Sequence, residues 1–198
     1  MRRFRRLLSL LLVLCAAPAL AAKPLRDGDI IFQTSHSGQS IAIQRATHSP
    51  YSHVGVILYR DGKPFVFEAI ATVRYTPLAN WIARGEGGRY VVRRLKRPLQ
   101  PGEVRKLHDA AKTYEGKLYD LYFEWTDQRI YCSELVWKMY RDATGLELGT
   151  LQKLRDLDLT DSAVKAKMRE RYDKDIPLDE RMISPAAMYD SGLLETAE

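Results

Sequence analysis

The chain has 198 residues and carries 31 Lys and Arg against 25 Asp and Glu, a formal net charge of +6. Four of the basic residues lie among the first 21, so residues 22–198 carry 27 basic and 25 acidic side chains, a net charge of +2. This balance gives no support to nucleic acid or another acidic polymer as a partner, and 177 residues suffice for one domain with its own core.

The first 21 residues have the pattern of a secretory signal peptide. An arginine-rich start precedes the apolar run 7–14, and Ala19-Leu20-Ala21 offers a small-x-small cleavage site. This apolar stretch is shorter than the roughly 20 residues that span a bilayer, and no later segment is a better candidate. We therefore expect removal of residues 1–21 on export across the inner membrane, with the periplasm as the favoured destination; a signal of this kind also serves export to the medium. Lipid anchoring at Cys15 is the disfavoured alternative, because Leu14 stands where lipoprotein processing requires a small residue.

The first half of the remaining chain has the pattern of strands joined by short turns. Asp27-Gly28 is a turn before the first strand, and Asp61-Gly62 is a strong signal for a tight hairpin. We predict strands at 29–34, 53–59, 64–70 and 90–95, an extended piece at 73–76, and helices at 37–48 and 78–84.

The position of the Asp61-Gly62 turn also sets the register of this hairpin. Gly55 is then expected opposite Glu68, and His53 diagonal to Glu68 on the same face of the two strands. Diagonal neighbours lie roughly 7–8 Å apart, within reach of long side chains. The pattern therefore places an imidazole and a carboxylate together on an otherwise apolar hairpin.

The second half of the chain is predicted to be mainly helical. Apolar residues recur at helical spacing over 103–114 and 132–143, the charged tail is expected to be mostly helical to about 172, and Ser184-Pro185 is a typical start of a last short helix. Strands first and helices around them predict an α+β fold, with an antiparallel sheet packed against helices.

Cys132 is the single cysteine of residues 22–198. It shares one apolar helix face with Leu135, Val136 and Met139, so the thiol is expected to face the core at the first helical turn. Backbone N–H groups and the positive end of the helix dipole stabilise a thiolate there. The N–H groups of Cys132 and Ser133 are therefore the candidate oxyanion donors. A small buried residue without a catalytic role is the alternative interpretation.

A thiol, an imidazole and a carboxylate together are the usual set for cysteine acyl transfer, which makes Cys132, His53 and Glu68 the candidate catalytic residues. Tyr51 and Ser52, which precede the histidine, and Tyr131, beside the thiol, are the candidate substrate-binding residues. No metal and no cofactor are expected, because the sequence contains no CxxC or HExxH motif near the candidate catalytic residues.

Three segments, RDGDIIF at 26–32, SPYSHVGV at 49–56 and YCSELVW at 131–137, resemble the permuted papain-like amidases of the YiiX type, within the NlpC-type superfamily of cysteine peptidases. His53 precedes Cys132 by 79 residues, which is the order of the permuted members. The resemblance runs from about Arg26 to the end and implies a single hydrolase domain over 22–198. It implies Cys132 as nucleophile, His53 as base and Glu68 as the group that orients the histidine.

These observations together predict a secreted thiol hydrolase that cleaves an amide in a cell-envelope peptide or N-acyl compound. Two alternatives belong to other classes: a thiol-dependent lipid esterase or acyltransferase, and a non-catalytic envelope module that binds a ligand. An intermolecular disulfide through Cys132 is disfavoured by its core-facing position. The oligomeric state does not follow from the sequence.

Overall fold

The computed structural model describes residues 24–197; the predicted signal peptide and Cys15 lie outside this range. The described chain forms one six-stranded sheet in the spatial order β10-β5-β1-β2-β3-β4, in which every neighbouring pair is antiparallel. These strands are β1 Ile30–Gln33, β2 His53–Arg60, β3 Lys63–Ala69, β4 Val73–Pro77, β5 Val91–Leu95 and β10 Leu194–Thr196.

Helices lie around this sheet, which confirms the predicted α+β class. They are α1 Ser40–Thr47, α2 Leu78–Ala83, α3 Pro101–Tyr114, α4 Cys132–Thr144, α5 Ser162–Tyr172 and α6 Pro185–Tyr189. Two small two-stranded sheets accompany them, formed by β6 Leu118–Tyr119 with β7 Arg129–Ile130 and by β8 Gln152–Lys153 with β9 Arg181–Met182.

The two faces of the sheet are both covered by apolar side chains. One face packs against α4, where Val56 and Phe67 meet Leu135 and Met139 in the main core. The other face holds a smaller cluster in which Trp81 of α2 closes over the strands. Helix α4 ends at Gly145, whose positive φ of 73° supplies the left-handed cap that terminates helices readily.

The hairpin between β2 and β3 has the register that the Asp61-Gly62 turn predicted. Val56 pairs with Phe67, and Arg60 pairs with Lys63. Gly55 matters for this hairpin, because a Cβ at that position would lie 2.4 Å from Val66 Cγ1 and 2.9 Å from the Phe67 carbonyl oxygen. The close approach brings the two strands together directly beside Glu68.

The prediction of a mostly helical tail to residue 172 is wrong for its first part. After α4 the described chain has a two-residue strand and a short 3-10 turn, Leu154–Asp156, and becomes helical only over Ser162–Tyr172. The strand Leu194–Thr196 was also missed; it pairs with β5 at the edge of the main sheet. The last short helix begins as predicted, because Ser184 Oγ accepts from the Ala187 N–H at 3.1 Å and Pro185 opens the helix. Within residues 24–197, no helix combines the length and the apolarity needed to cross a bilayer.

Candidate active site

Cys132 opens α4 and is buried, with 3 % of its surface exposed. Tyr131 before it is extended and serves as the N-cap, so the helical N–H groups begin at the thiol. The backbone N–H groups of Ser133 and Val54 and the ring of His53 surround the thiol and lower its pKa. Helix α4 and the start of strand β2 therefore hold the thiol between them.

His53, the first residue of β2, connects this thiol to Glu68. Its Nε2 lies 2.6 Å from Glu68 Oε2, which leaves Nδ1 as the ring nitrogen that faces the thiol. Burial opposes a charged imidazole, but the hydrogen bonds to Cys132 and Glu68 outweigh it and raise the pKa of His53 to about 9. The ring also stacks at 6.1 Å on Trp81, which restrains its orientation.

Glu68 is fully buried and accepts hydrogen bonds from four side chains. Besides His53 these are Thr76 Oγ1 at 2.6 Å, Trp81 Nε1 at 3.0 Å, and Arg84 Nη2, which lies 2.7 and 2.6 Å from the two carboxylate oxygens. Although burial favours the neutral acid, these donors lower the pKa of Glu68 to about 2. A carboxylate held so firmly keeps His53 in one orientation and favours its charged form.

The electrostatics of the pair favour a thiolate beside an imidazolium. Burial by itself raises the pKa of a thiol, yet the hydrogen bond and charge of His53 and the two backbone N–H groups lower the pKa of Cys132 below its ordinary value. A thiolate of this kind can attack a carbonyl carbon without a separate step in which a base removes the thiol proton.

Sequence reasoning missed two residues at this site, Tyr119 and Gln39. Tyr119 Oη accepts from Gln39 Nε2 at 2.8 Å and hydrogen-bonds to the Cys132 thiol. Burial and the neighbouring thiolate raise the pKa of Tyr119 well above its ordinary value, so the phenol keeps its proton and donates it. Helical or strand periodicity gave no signal for either residue, since Tyr119 lies in a two-residue strand and Gln39 just before α1.

The three predicted substrate-binding residues are placed differently from one another. Ser52 lies beside His53 in the wall of an open cleft, and Tyr131 lies beside Cys132 in the wall of a narrow apolar pocket. Tyr51 is not brought to either cavity: its ring packs on Phe32 and Tyr189, at centroid distances of 5.8 and 4.4 Å.

The two predicted oxyanion donors lie at the first turn of α4, as the sequence placed them. The Ser133 side chain is turned away from the cleft, because its Oγ donates to the Ile183 carbonyl at 2.8 Å. This bond ties the first turn of α4 to the segment before α6. It leaves the backbone N–H groups as the polar groups that α4 presents to the thiol.

The Cys132–His53 pair separates two cavities of different character. Cys132 faces the narrow apolar pocket, whose free volume is about 50 Å³ and whose walls include Ala46, Val164 and Met168 of helices α1 and α5. His53 faces the open cleft of about 920 Å³, together with Tyr119 and Arg84. Phe123 lines the apolar pocket, whereas Trp125 stacks edge-on against Trp137.

The described residues do not form a metal centre. No three His, Cys, Asp or Glu side chains within 24–197 are arranged to hold an ion. His53 Nε2 is engaged by Glu68, and His48 instead pairs with Asp158 at 3.1 Å.

A buried cysteine at a helix N-terminus, paired with a carboxylate-oriented histidine from an adjacent antiparallel sheet, defines a cysteine hydrolase of the papain-like class. The order of the two residues along the chain is the permuted one. The sequence model described as "Permuted papain-like amidase enzyme, YaeF/YiiX, C92 family" matches residues 24–197, and the chain belongs to that family.

Two comparisons with individual proteins agree with this assignment. The chain is 51 % identical over 189 residues to a protein of Escherichia coli K12 described as the uncharacterized protein YiiX, which covers 96 % of this chain and 93 % of that protein. A crystal structure described as the metalloprotein YiiX from Escherichia coli O157:H7 superposes with a TM-score of 0.85 at 53 % identity, covering 87 % of this chain and 96 % of that one. The resemblance inferred from the three sequence segments is confirmed.

Proposed function

We propose that this amidase is exported to the cell envelope and there hydrolyses N-acyl amides whose acyl group is apolar. The observation that carries the proposal is the position of the Cys132–His53 pair between an apolar pocket and an open cleft. The acyl group becomes bonded to the thiol, so its first carbons occupy the pocket on the thiol side. The pocket volume of about 50 Å³ accommodates only a few carbons, and a longer acyl chain continues beyond the pocket. The leaving amine takes its proton from the imidazole, so it departs into the cleft on the histidine side.

The reaction follows from this arrangement. The Cys132 thiolate attacks the amide carbon, and the C–S bond forms while the carbonyl oxygen becomes an oxyanion. The N–H groups at the start of α4 and the Tyr119 hydroxyl are the donors nearest to that charge. The His53 imidazolium then protonates the amine nitrogen, the C–N bond breaks, and the free amine leaves.

Water completes the cycle. Neutral His53 takes a proton from a water molecule in the cleft, the resulting hydroxide attacks the thioester, and the C–S bond breaks to release the carboxylic acid. The open cleft beside His53 supports hydrolysis over acyl transfer, because a transferase must keep water out of this step. An ester with the same acyl chain presents the same group to the pocket. The experiment must therefore decide whether the leaving group is an amine or an alcohol.

The test is incubation of the purified protein with matched decanoyl amides and esters, followed by mass spectrometry. We expect release of decanoate and of the amine, and a decanoyl adduct on Cys132 in rapidly quenched samples. Cys132→Ala is the control, and it should fold as the wild type while giving neither product nor adduct. Absence of an adduct from every substrate, with a thiol that still reacts with iodoacetamide, would contradict the proposal; faster turnover of the esters would favour the esterase.

The export component has a separate test. Expression of the full chain in a Gram-negative host, cell fractionation and N-terminal sequencing should yield a periplasmic protein that begins at Ala22. A cytoplasmic protein that retains residues 1–21 would contradict it, and a lipid-modified amino terminus at Cys15 would indicate anchoring instead.

A further inference from the structure

The open cleft on the histidine side carries an unusual local charge. Its walls contain four basic side chains and one acidic side chain, whereas residues 22–198 as a whole carry 27 basic and 25 acidic residues. The basic residues are Arg84, Arg129, Lys167 and Arg171, and the acidic residue is Glu170. Lys167 and Glu170 pair with each other, and Arg84 pairs with the buried Glu68, so Arg129 and Arg171 account for the excess.

Two of these arginines have no carboxylate partner in the described part of the chain. Arg129 is exposed at the cleft wall, and no acidic oxygen of residues 24–197 lies within 4.0 Å of its guanidinium. Arg171 is held in place without being neutralised, because it donates to Gln39 Oε1 and lies 4.7 Å above the Phe123 ring. Through Gln39 it connects to the Tyr119 hydroxyl beside the thiol.

Arg84 lies at the border between the catalytic residues and the cleft. Its Nη2 binds both oxygens of Glu68, while 36 % of its side chain remains exposed. Its Nη1 and Nε make no hydrogen bond to residues 24–197 and are available on the cleft side. A guanidinium has five N–H donors, so it can bind one anion through Nη2 and a second anion through Nη1 and Nε.

We infer that the cleft binds an anionic group, a carboxylate or a phosphate, carried by the amine half of the substrate. The inference rests on the proposed hydrolysis, which sends the amine to the side of His53. Arg84 and Arg129 line that side, and Arg171 lies where the cleft adjoins the apolar pocket. Forked guanidinium groups match the oxygens of carboxylates and phosphates in geometry and charge. The substrate is thus divided at the scissile bond into an apolar acyl part and an anionic amine part.

The test compares ligands that differ only in this charge, using calorimetry with the inactive Cys132→Ala protein. One pair is N-decanoylglycine and its neutral analogue N-decanoylglycinamide; the other is N-decanoylphosphoethanolamine and N-decanoylethanolamine. Partly exposed ion pairs with forked geometry support an expected preference of about five- to tenfold for the anionic member. The preference should shrink as salt is added, because added ions screen exposed charges. Which pair shows the larger ratio distinguishes carboxylate from phosphate.

Substitutions then assign the preference to the cleft. Adding Arg129→Gln to the inactive protein should lower the anionic-to-neutral affinity ratio by about threefold. The matched control is Arg105→Gln, an exposed arginine of α3 outside the cleft, which should leave the ratio unchanged. Equal affinities within both pairs, no binding of either anionic ligand, or a ratio unaffected by Arg129→Gln would overturn the inference.

Turnover of the same compounds by the unmodified protein separates this inference from the proposed function. Hydrolysis of anionic and neutral amides with equal binding leaves the amidase function standing and removes the anion site. A clear preference in binding without any hydrolysis leaves the anion site standing and removes the proposed reaction.

Discussion

Replacing Glu68 by Gln is the most direct test of how the site activates its thiol. The substitution keeps the shape of the side chain but removes the charge that faces His53 and Arg84. With Glu68 neutral, the Arg84 guanidinium is left near the imidazole without its partner. Both changes disfavour the imidazolium, so the pKa of His53 should fall from about 9 toward its ordinary 6.5.

The size of the effect follows from the two perturbed groups. Raising the pKa of His53 from 6.5 to about 9 corresponds to about 3 kcal/mol in favour of the charged ring, contributed jointly by Cys132 and Glu68. If Glu68 supplies half of that, its loss shifts the balance between ion pair and neutral pair by about 1.5 kcal/mol, or about tenfold. We therefore expect alkylation of Cys132 by iodoacetamide to slow about tenfold at pH 6.5 in Glu68→Gln.

The pH dependence gives the sign of the same effect. In the wild type the pKa of Cys132 is lowered from the ordinary thiol value, so the thiolate persists below it, and the imidazolium persists up to about pH 9. Alkylation should therefore stay fast toward acid pH, while amide turnover should fall as the pH rises through about 9, because the leaving amine then finds no proton on His53.

The matched control is Glu103→Gln. Glu103 lies on α3, its pKa is likewise lowered to about 2 by the hydrogen bond from Arg97, and it does not contact His53. It should alkylate as the wild type does. Wild-type alkylation by a folded Glu68→Gln protein, with an unchanged pH profile, would refute the role of the carboxylate.

Three further predictions concern the Tyr119 hydroxyl, the apolar pocket and the hairpin of β2 and β3. Tyr119→Phe should keep the fold and lower the turnover number at least tenfold, measured by amine release, because the phenol that contacts the thiol is lost; wild-type turnover would exclude it from the mechanism. Ala46→Phe fills the apolar pocket, so kcat/KM for decanoyl amides should fall much more than for acetyl amides, and a parallel loss would place the acyl chain elsewhere. Gly55→Ala forces a methyl to 2.4 Å from Val66 Cγ1 and should cost about 1–3 kcal/mol in urea unfolding, whereas Gly192→Ala, in open space, should cost little.

The local patterns of the sequence determined the parts of the site that depend on short-range rules. The Asp61-Gly62 turn specified the hairpin register and placed Glu68 near His53, because a tight turn fixes which residues face each other. The apolar face of α4 placed Cys132 at its first turn, because a helix repeats every 3.6 residues. The fold class and the family also followed from the sequence, and both are confirmed.

Only the tertiary structure decided which distant residues complete the site. Thr76, Trp81 and Arg84 reach Glu68 because β4 and α2 return across the sheet, and their spacing along the chain carries no sign of this. Tyr119 and Gln39, which lie 80 positions apart in the chain, are hydrogen-bonded beside the thiol. Side-chain contacts of this kind depend on how elements pack, and a periodic pattern within one element does not encode them.

The same reason explains the two cavities. The apolar residues of α1 and α5 appear in the sequence as ordinary core positions, and the arginines of the cleft appear as surface charge. Packing of α1 against α5 beside Cys132 turns the first group into a pocket. The end of α2, strand β7 and helix α5 bring the arginines of the second group together beside His53. The sequence by itself thus predicted the candidate nucleophile, base and carboxylate, since their placement follows from local geometry. The tertiary structure alone decided what surrounds them, because cavities exist only where separate elements meet.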